Sequence, residues 1–335
     1  MHHNPKISVL MPVFNGETYL REAITSILNQ TYSNFEFIII NDGSTDKTHE
    51  IIKKFNDSRI NLLNNQTNIG IIHSLNKGIE FASGEYIARM DADDIALPKR
   101  LQTQLNYFID NPNCKIIGGN YNIITKNKTH SFNHQFTNHQ LKTILLFSTC
   151  FMHPTVMFKK SDETFYNSQF KHTEDYELWC RLAINYEFGF CTEKSINYRS
   201  HEQQISAQNK TFQLQKSAEI RKNYLTNLGF TFNEKQFETH NFIGDNVFIT
   251  KKSQLIDIET WLKNLINQNN TKNSIYQKDF NSIILKFWSD SCGNSNLGFF
   301  ALTSFYNSAI YKQNKIGYKS HLKLLIKCII RKFKK

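Results

Sequence analysis

Short β-branched runs alternate with helix-spaced apolar residues four times in the first 110 residues, and this alternation leaves few folds open. "ISVLMPVF" (7–14) is a buried strand pattern, followed over 17–30 by Leu20, Ala23, Ile24 and Ile27 at helical spacing. "FEFIII" (35–40) predicts a second strand. The turn "NDGSTD" (41–46) then starts a helix to about Phe55, with Ser44 or Thr45 as N-cap and Asp46 in its first turn. "RINLLNN" (59–65) and "EYIARM" (85–90) predict two more strands, separated by a helix over 71–82, and Pro98 opens another helix. Such alternation predicts an α/β fold, a mostly parallel sheet flanked by helices on both faces. In sheets of this kind ligands bind at the carboxyl ends of the strands. Asp42 and Asp91 both fall at such ends, so they are expected to line one crevice.

The middle of the chain, 111–205, is more mixed. Strands are expected over 115–124 and 154–160, a helix over 174–186, and a strand over 187–199 with a bend at Gly189. From about 206 the sequence turns polar and Asn- and Gln-rich, and Gly and Pro become scarce, which predicts a C-terminal helical extension over 206–335. Its end, 319–335, carries Lys319, Lys323, Lys327 and Arg331 every four residues among Leu322, Leu325, Ile326, Ile329, Ile330 and Phe333, with no acid. A basic amphipathic helix of this kind suits an anionic membrane surface. A terminal helix packed on its own domain with a solvated basic face would show the same pattern.

Forty Lys and Arg stand against twenty-nine Asp and Glu, a formal charge of +11 that suggests an anionic partner. A nucleic-acid binder would need basic residues interleaved with aromatics on one face, whereas the tail stripe is interleaved with aliphatics. The six cysteines lie far apart and form no C-x-x-C, so neither a structural zinc site nor a redox pair is expected. No signal-peptide layout and no run of roughly 20 apolar residues is present. These features predict a cytoplasmic protein with free thiols, associated peripherally with the inner face of the cell membrane.

The acidic run "RMDADD" (89–94) sits just past the fourth strand. Carboxylates this close repel one another unless a positive charge lies between them. Oxygen-rich sites suit hard cations such as Mg²⁺ and Mn²⁺, held by one or two carboxylates with substrate phosphates completing the shell. A calcium loop counted from Asp91 would need Gly and Glu where Ala96 and Gln102 stand. Taken alone, D-x-D reads equally as a solvated acidic turn or as a metal site.

From its start to about residue 206 the chain resembles the family 2 glycosyltransferases, inverting enzymes with a GT-A nucleotide-sugar fold. The resemblance rests on "MPVFN" (11–15), "NDGSTD", "NIG" (68–70) with Asn76, "ASGEYIARMDADD" (82–94), "HPTVMF" (153–158), "EDYELWCRL" (174–182) and "YRSHEQQIS" (198–206), in family order. It implies a donor-binding half over 1–110 and an acceptor-binding half over 111–205. Pro12, Phe14 and Asn15 would border the nucleotide base, with Phe14 either a stacking ring or core. Asp42 would accept from the uracil N–H, and Asn68 and Asn76 would belong to the same nucleotide site. Arg89 would contact phosphate or donor sugar, or simply offset the nearby carboxylates. Asp93, with Asp91 as companion, would hold Mn²⁺ or Mg²⁺, Asp91 also lying near ribose and phosphate. Asp94 would bond backbone or orient Asp93, and His201 would supply a third ligand or a phosphate contact. His153 and Pro154 would shape the acceptor pocket or turn the chain into the next strand. In one departure, Leu75 stands where many relatives carry Arg.

The acceptor hydroxyl needs a base, and Asp175 is the candidate. On a helix, Asp175, Trp179, Leu182, Ala183 and Tyr186 share one face, while Glu177 and Arg181 form an i,i+4 pair. Asp175 would therefore head an inward stripe, with Glu174 pointing elsewhere and Thr173 capping. The expected reaction moves a sugar, with a lean to GlcNAc or GalNAc, from a UDP-sugar to a hydroxyl of a surface-glycan precursor. That precursor would be a lipooligosaccharide, O-antigen or capsule intermediate, a glycan or lipid-linked oligosaccharide acceptor. A nucleotidyltransferase is the rival enzyme, but its Lys- and Gly-rich N-terminal loop is missing from "MPVFNGETYL".

Overall fold

The first-half elements follow the sequence pattern closely. The computed structural model describes residues 4–125, 128–200, 210–313 and 318–332. In chain order the elements are β1 (Ile7–Val13), α1 (Leu20–Leu28), β2 (Phe35–Asp42), α2 (Thr48–Lys53), β3 (Ile60–Asn65), α3 (Ile71–Phe81), β4 (Tyr86–Arg89), β5 (Ile95–Ala96) and α4 (Arg100–Asp110). They continue as β6 (Cys114–Ile124), β7 (Thr129–Ser131), α5 (Asn138–Ile144), β8 (Met157–Lys159), α6 (Glu174–Asn185) and β9 (Glu187–Arg199). Two compact units form. The first takes in residues up to 138 and 151–213, and the second takes in 139–150 and 214 onward.

β1 is apolar apart from Ser8, whose hydroxyl donates to Glu36 (2.6 Å), because both of its faces are covered. Ile7, Val9, Met11 and Val13 join one buried cluster with Leu20, Ala23, Ile24 and Ile27 of α1 and Leu101, Leu105 and Phe108 of α4. On the opposite face α3 comes close at Gly78, where a Cβ would stand 3.0 Å from Ile40 and 3.4 Å from Leu10. Among the described residues the sheet has nine strands in the order β3-β2-β1-β4-β8-β6-β9-β5, with β7 paired to β6. The strands β3, β2, β1 and β4 pair in parallel. β8 then runs antiparallel to both β4 and β6, so the second half of the sheet is mixed.

Two consequences position a site. Because β8 runs antiparallel to β4, its start lies beside the end of β4, and Arg89 N donates to Val156 O (3.1 Å). The expected strand over 154–160 is accordingly shorter, with a 3₁₀ turn at His153–Thr155 before β8. Because β5 pairs antiparallel with β9 (Ile95 opposite Asn197), the end of β9 is laid against the acidic turn. At the other strand ends, β1 runs three residues past its last pairing with β4 at Leu10. Pro12 therefore lies beyond the ladder on that side, where proline's missing N–H costs nothing.

The loop after β2 differs from expectation. Helix α2 begins only at Thr48, with Lys47 at its N-cap position and no side-chain cap. Asp46 precedes the helix and accepts from Glu17 N and Thr48 N (both 3.0 Å), and Ser44 Oγ accepts from Asn15 N (3.0 Å). Thr45 N donates to Asn15 Oδ1 (2.9 Å), and Gly16 N donates to Thr48 Oγ1 (2.9 Å). These polar side chains sew the β1 and β2 loops together instead of capping a longer helix. Asn15 sits at φ 52°, a left-handed conformation that Asn tolerates.

The second unit is helical: α7 (Lys210–Asn227) from Leu214 onward, α8 (Glu234–Gly244), α9 (Lys252–Lys272), α10 (Gln277–Gly293), α11 (Phe299–Asn307), α12 (Ala309–Gln313) and α13 (Tyr318–Lys332), together with 139–150. Its core holds Trp261, Phe280, Trp288 and Phe305. His240 is pinned there: Trp261 Nε1 donates to its Nδ1 (3.0 Å), and its Nε2 meets Leu146 O (2.7 Å). Burial drives this imidazole down to about 3, so it is neutral. Among the described residues no helix is long and apolar enough to cross a membrane, and all six cysteines are free thiols.

Candidate active site

Four strand ends of the first unit supply the site. β2 delivers Asp42, which is buried and accepts three hydrogen bonds from its neighbours. Its Oδ1 accepts from Asn65 Nδ2 (2.8 Å) and Ile69 N (3.0 Å), and its Oδ2 accepts from Gly70 N (2.9 Å). Gly70 adopts φ 89°, which turns its N–H back toward Asp42 and which a side chain would resist. The acid thereby fixes the "NIG" loop at the start of α3. Asn68 Oδ1 also accepts from Gly70 N (3.0 Å). Phe14 and Asn15 are exposed beside the sewn loops, and Pro12 is half-buried.

β4 delivers Arg89, buried at 3 % exposure. Its Nη1 lies 2.5 Å from Asp91 Oδ2, and its Nε is buried without a hydrogen-bond partner. This ion pair offsets part of the cost of burying the guanidinium, although neither Nε nor Nη1 makes a hydrogen bond. Behind it Arg100, also buried, donates from Nη2 to Arg89 O (2.6 Å). Burial lowers Arg100 to about 9, which still leaves it charged at neutral pH.

The acidic turn follows. Carboxylate oxygens of Asp91, Asp93 and Asp94 lie within 4.8 Å of one another. Asp94 is fully buried; its Oδ1 accepts from Arg199 N (2.8 Å), and its Oδ2 has no hydrogen-bond partner. Burial, then Asp91 and Asp93, push Asp94 up to about 9, and burial likewise raises Asp91 against the pull of Arg89. An orphaned buried oxygen amid all-oxygen donors and crowded negative charge fits a hard divalent cation. Asp91 and Asp93, with Asp94 behind them, would hold it. Arg199 at the end of β9 locks this turn: its Nε donates to Asp93 O (2.9 Å), its Nη2 pairs with Glu22 (2.7 Å), and it stacks 4.3 Å from the Tyr19 ring centroid. Arg199 belongs to the "YRSHEQQIS" motif, whose spacing from the acidic turn carries no signal of this clamp. His201, the expected third ligand, lies outside the described residues.

The third wall comes from 153–179. His153 Nε2 meets Tyr166 OH (2.9 Å), and the imidazole packs edge-on to Trp179 with centroids 5.9 Å apart. Burial, helped by Arg89, holds His153 well below its ordinary range, so it is neutral. The Tyr166 phenol is pushed well up by burial; Arg89 opposes this, and Asp175, Glu174 and Asp91 add to it. Tyr166 thus feels acids from both the turn after β4 and α6. Asn76 is tied in here too: its Nδ2 donates to Tyr166 O and its Oδ1 accepts from Tyr166 N, both at 2.8 Å. In this structure the Asn76 amide works as a clasp between α3 and the 166 segment.

At the head of α6 the two acids exchange the surroundings expected of them. Glu174 is buried with its Oε2 unpartnered, whereas Asp175 is half-buried. Trp179, Leu182 and Ala183 form the buried stripe as expected, and Tyr186 is half-buried. Glu177 pairs with Arg181 (2.9 Å) as the i,i+4 spacing predicts. Thr173 holds the N-cap position without capping; its Oγ1 donates to Phe170 O (3.2 Å). His172, just ahead, sits at φ 67°, in the left-handed region that a side chain resists.

Burial, then Asp175, raises Glu174 to about 7. The native state keeps this proton between about pH 4.5 and 7 while the unfolded chain releases it, so stability falls as pH rises through that window. Between pH 5 and 8 the loss is roughly 2 to 3 kcal/mol. Urea unfolding of Glu174→Gln should show that much less destabilisation over the same range. An unchanged pH dependence would mean that Glu174 is not the buried proton carrier.

The model of the glycosyl transferase family 2 matches residues 8–229, a span that includes every wall just described. The chain belongs to this family. Two Escherichia coli relatives are similar to this glycosyltransferase. The O-antigen biosynthesis glycosyltransferase WbnJ is 36 % identical over 206 residues, covering 58 % of this chain and 80 % of its own. The UDP-Glc:alpha-D-GlcNAc-diphosphoundecaprenol beta-1,3-glucosyltransferase WfgD is 33 % identical over 230 residues, covering 66 % and 87 %. Among solved structures, Staphylococcus aureus TarS 1–349 in complex with UDP-GlcNAc superposes with a TM-score of 0.56 at 17 % identity, over 96 % of this chain and 90 % of that one. The last likeness is one of fold, and it agrees with the mixed α/β sheet and C-terminal helices of this glycosyltransferase.

Proposed function

We propose that the enzyme transfers a hexose or N-acetylhexosamine, with inversion, from a UDP-sugar to a hydroxyl of a lipid-linked glycan precursor of the bacterial surface. The observation that carries this reading is the carboxylate cluster of Asp91, Asp93 and Asp94, whose oxygens lie within 4.8 Å of one another beside the buried Arg89 at the end of β4. Support for the donor comes from the UDP-Glc in the name of WfgD and the UDP-GlcNAc bound by TarS. Support for the acceptor comes from the O-antigen and diphosphoundecaprenol named for the relatives.

Asp42 and the sewn loops with Phe14 and Asn15 bind the uracil end. Asp91 and Asp93 would hold Mn²⁺ or Mg²⁺, which would supply positive charge to stabilise the departing diphosphate. Arg89 keeps Asp91 oriented and adds its own charge to that side. Asp175 takes the proton from the acceptor hydroxyl as the hydroxyl oxygen bonds to the anomeric carbon and the bond to the UDP oxygen breaks. Residues 1–110 carry the donor and 111–205 the acceptor.

A panel of UDP-sugars assayed for UDP release tests this. At least one UDP-hexose should turn over with Mn²⁺ or Mg²⁺, and EDTA should abolish the release. Pyrophosphate production from a nucleoside triphosphate and a sugar phosphate, with no UDP released from any UDP-sugar, would instead establish a nucleotidyltransferase.

A further inference from the structure

Helix α13 has two apolar faces, and its own unit covers one of them. Leu324 and Cys328 are 2 % and 1 % exposed, and Cys328 Sγ reaches Cys292 O (3.7 Å) on α10. Leu322, Leu325, Ile326 and Ile329 are between 38 and 50 % exposed. At 3.6 residues per turn these four share an arc about 100° wide, centred about 130° from the buried pair. A helix whose packing is already satisfied gains nothing within its fold from a second apolar stripe, and an exposed stripe of large aliphatics marks an interaction surface.

The charge beside the stripe indicates what covers it. Residues 318–335 contain seven Lys and Arg and no Asp or Glu. Lys323 is exposed next to Leu322, and Lys327 is half-buried, 3.6 Å from Asp290. The positions of Lys319, Lys323, Lys327 and Arg331 advance by about 40° each around the helix, along one flank of the aliphatic arc. Aliphatic side chains bordered by a one-sided basic flank match an interfacial helix lying in the headgroup layer of an anionic bilayer.

We infer that α13 docks the enzyme on anionic lipid, inserting Leu322, Leu325, Ile326 and Ile329 between the headgroups while Lys323 contacts lipid phosphate. The inference concerns the second unit alone and holds or fails independently of the sugar-transfer site. A self-association surface would lack any need for the basic flank, since like-charged flanks brought together would repel.

Vesicle co-sedimentation of the full chain decides it. Binding to phosphatidylcholine vesicles containing phosphatidylglycerol should be at least tenfold tighter than to phosphatidylcholine alone, and should weaken with added salt. The exposed double substitution Leu322→Ser/Ile326→Ser should lower that affinity at least tenfold with the circular dichroism unchanged. Lys323→Glu, which touches no apolar contact, should lower it severalfold. Equal binding to neutral vesicles, or no loss in Lys323→Glu and in a correctly folded double variant, would overturn the inference. So would a dimer in solution that the double variant turns into a monomer while vesicle binding stays absent.

Discussion

Asp175→Asn should reduce turnover at least a hundredfold while leaving UDP affinity close to that of the unaltered enzyme. The size follows from the role: a positioned base contributes about 10²- to 10⁴-fold, and an amide of the same shape takes up no proton. The site gives Asp175 this role over its neighbour. Glu174 is buried and carries its proton up to about pH 7, so below that pH it is neither reachable nor basic. Asp175, one residue on, is half-buried at the start of α6. Loss of its charge from the first turn of α6 costs about 0.3–1 kcal/mol of helix stability, too little to unfold the unit. Steady-state turnover together with calorimetric UDP binding checks both halves. A variant with near-normal turnover would remove Asp175 as the base, and a variant that no longer binds UDP would move it to the donor side.

Asp93→Ala should cost at least as much turnover, with a different signature. UDP should bind the variant as it binds the unaltered chain when EDTA is present, and should fail to gain affinity when Mn²⁺ is added. The backbone of the turn is held independently of this side chain, through Arg199 Nε to Asp93 O and Arg199 N to Asp94 Oδ1. A variant in which manganese still tightens UDP would show that Asp93 is not a ligand.

The parts of this fold that were legible in the sequence are those whose signal is local. β1 to β4 and α1, α3 and α4 are read from periodicity, because a strand covered on two faces must be largely apolar and an amphipathic helix must repeat every three to four residues. The α6 stripe and the Glu177–Arg181 pair are legible for the same reason. The misread details depend on partners far away in the chain. Ser44, Thr45 and Asp46 have the composition of helix caps, yet Asn15 and Glu17, about thirty residues earlier, claim them. Arg199 clamps Asp93 and Asp94 from more than a hundred residues away, and no spacing rule links them. Helical phase alone assigned the inward position to Asp175. The burial of Glu174 one position earlier has no signature in the sequence. The salt bridge of Arg89 to Asp91 was within reach, since an Arg two residues before a crowded acid invites that pairing; sequence reading weighed it only as an offset.

Crystals grown with UDP and Mn²⁺ test the central claim most directly. Anomalous scattering should place manganese among the carboxylates of Asp91 and Asp93, with the diphosphate on it and the uracil beside Asp42 and Phe14. Manganese absent from that turn, with the nucleotide bound at another surface, would contradict the account.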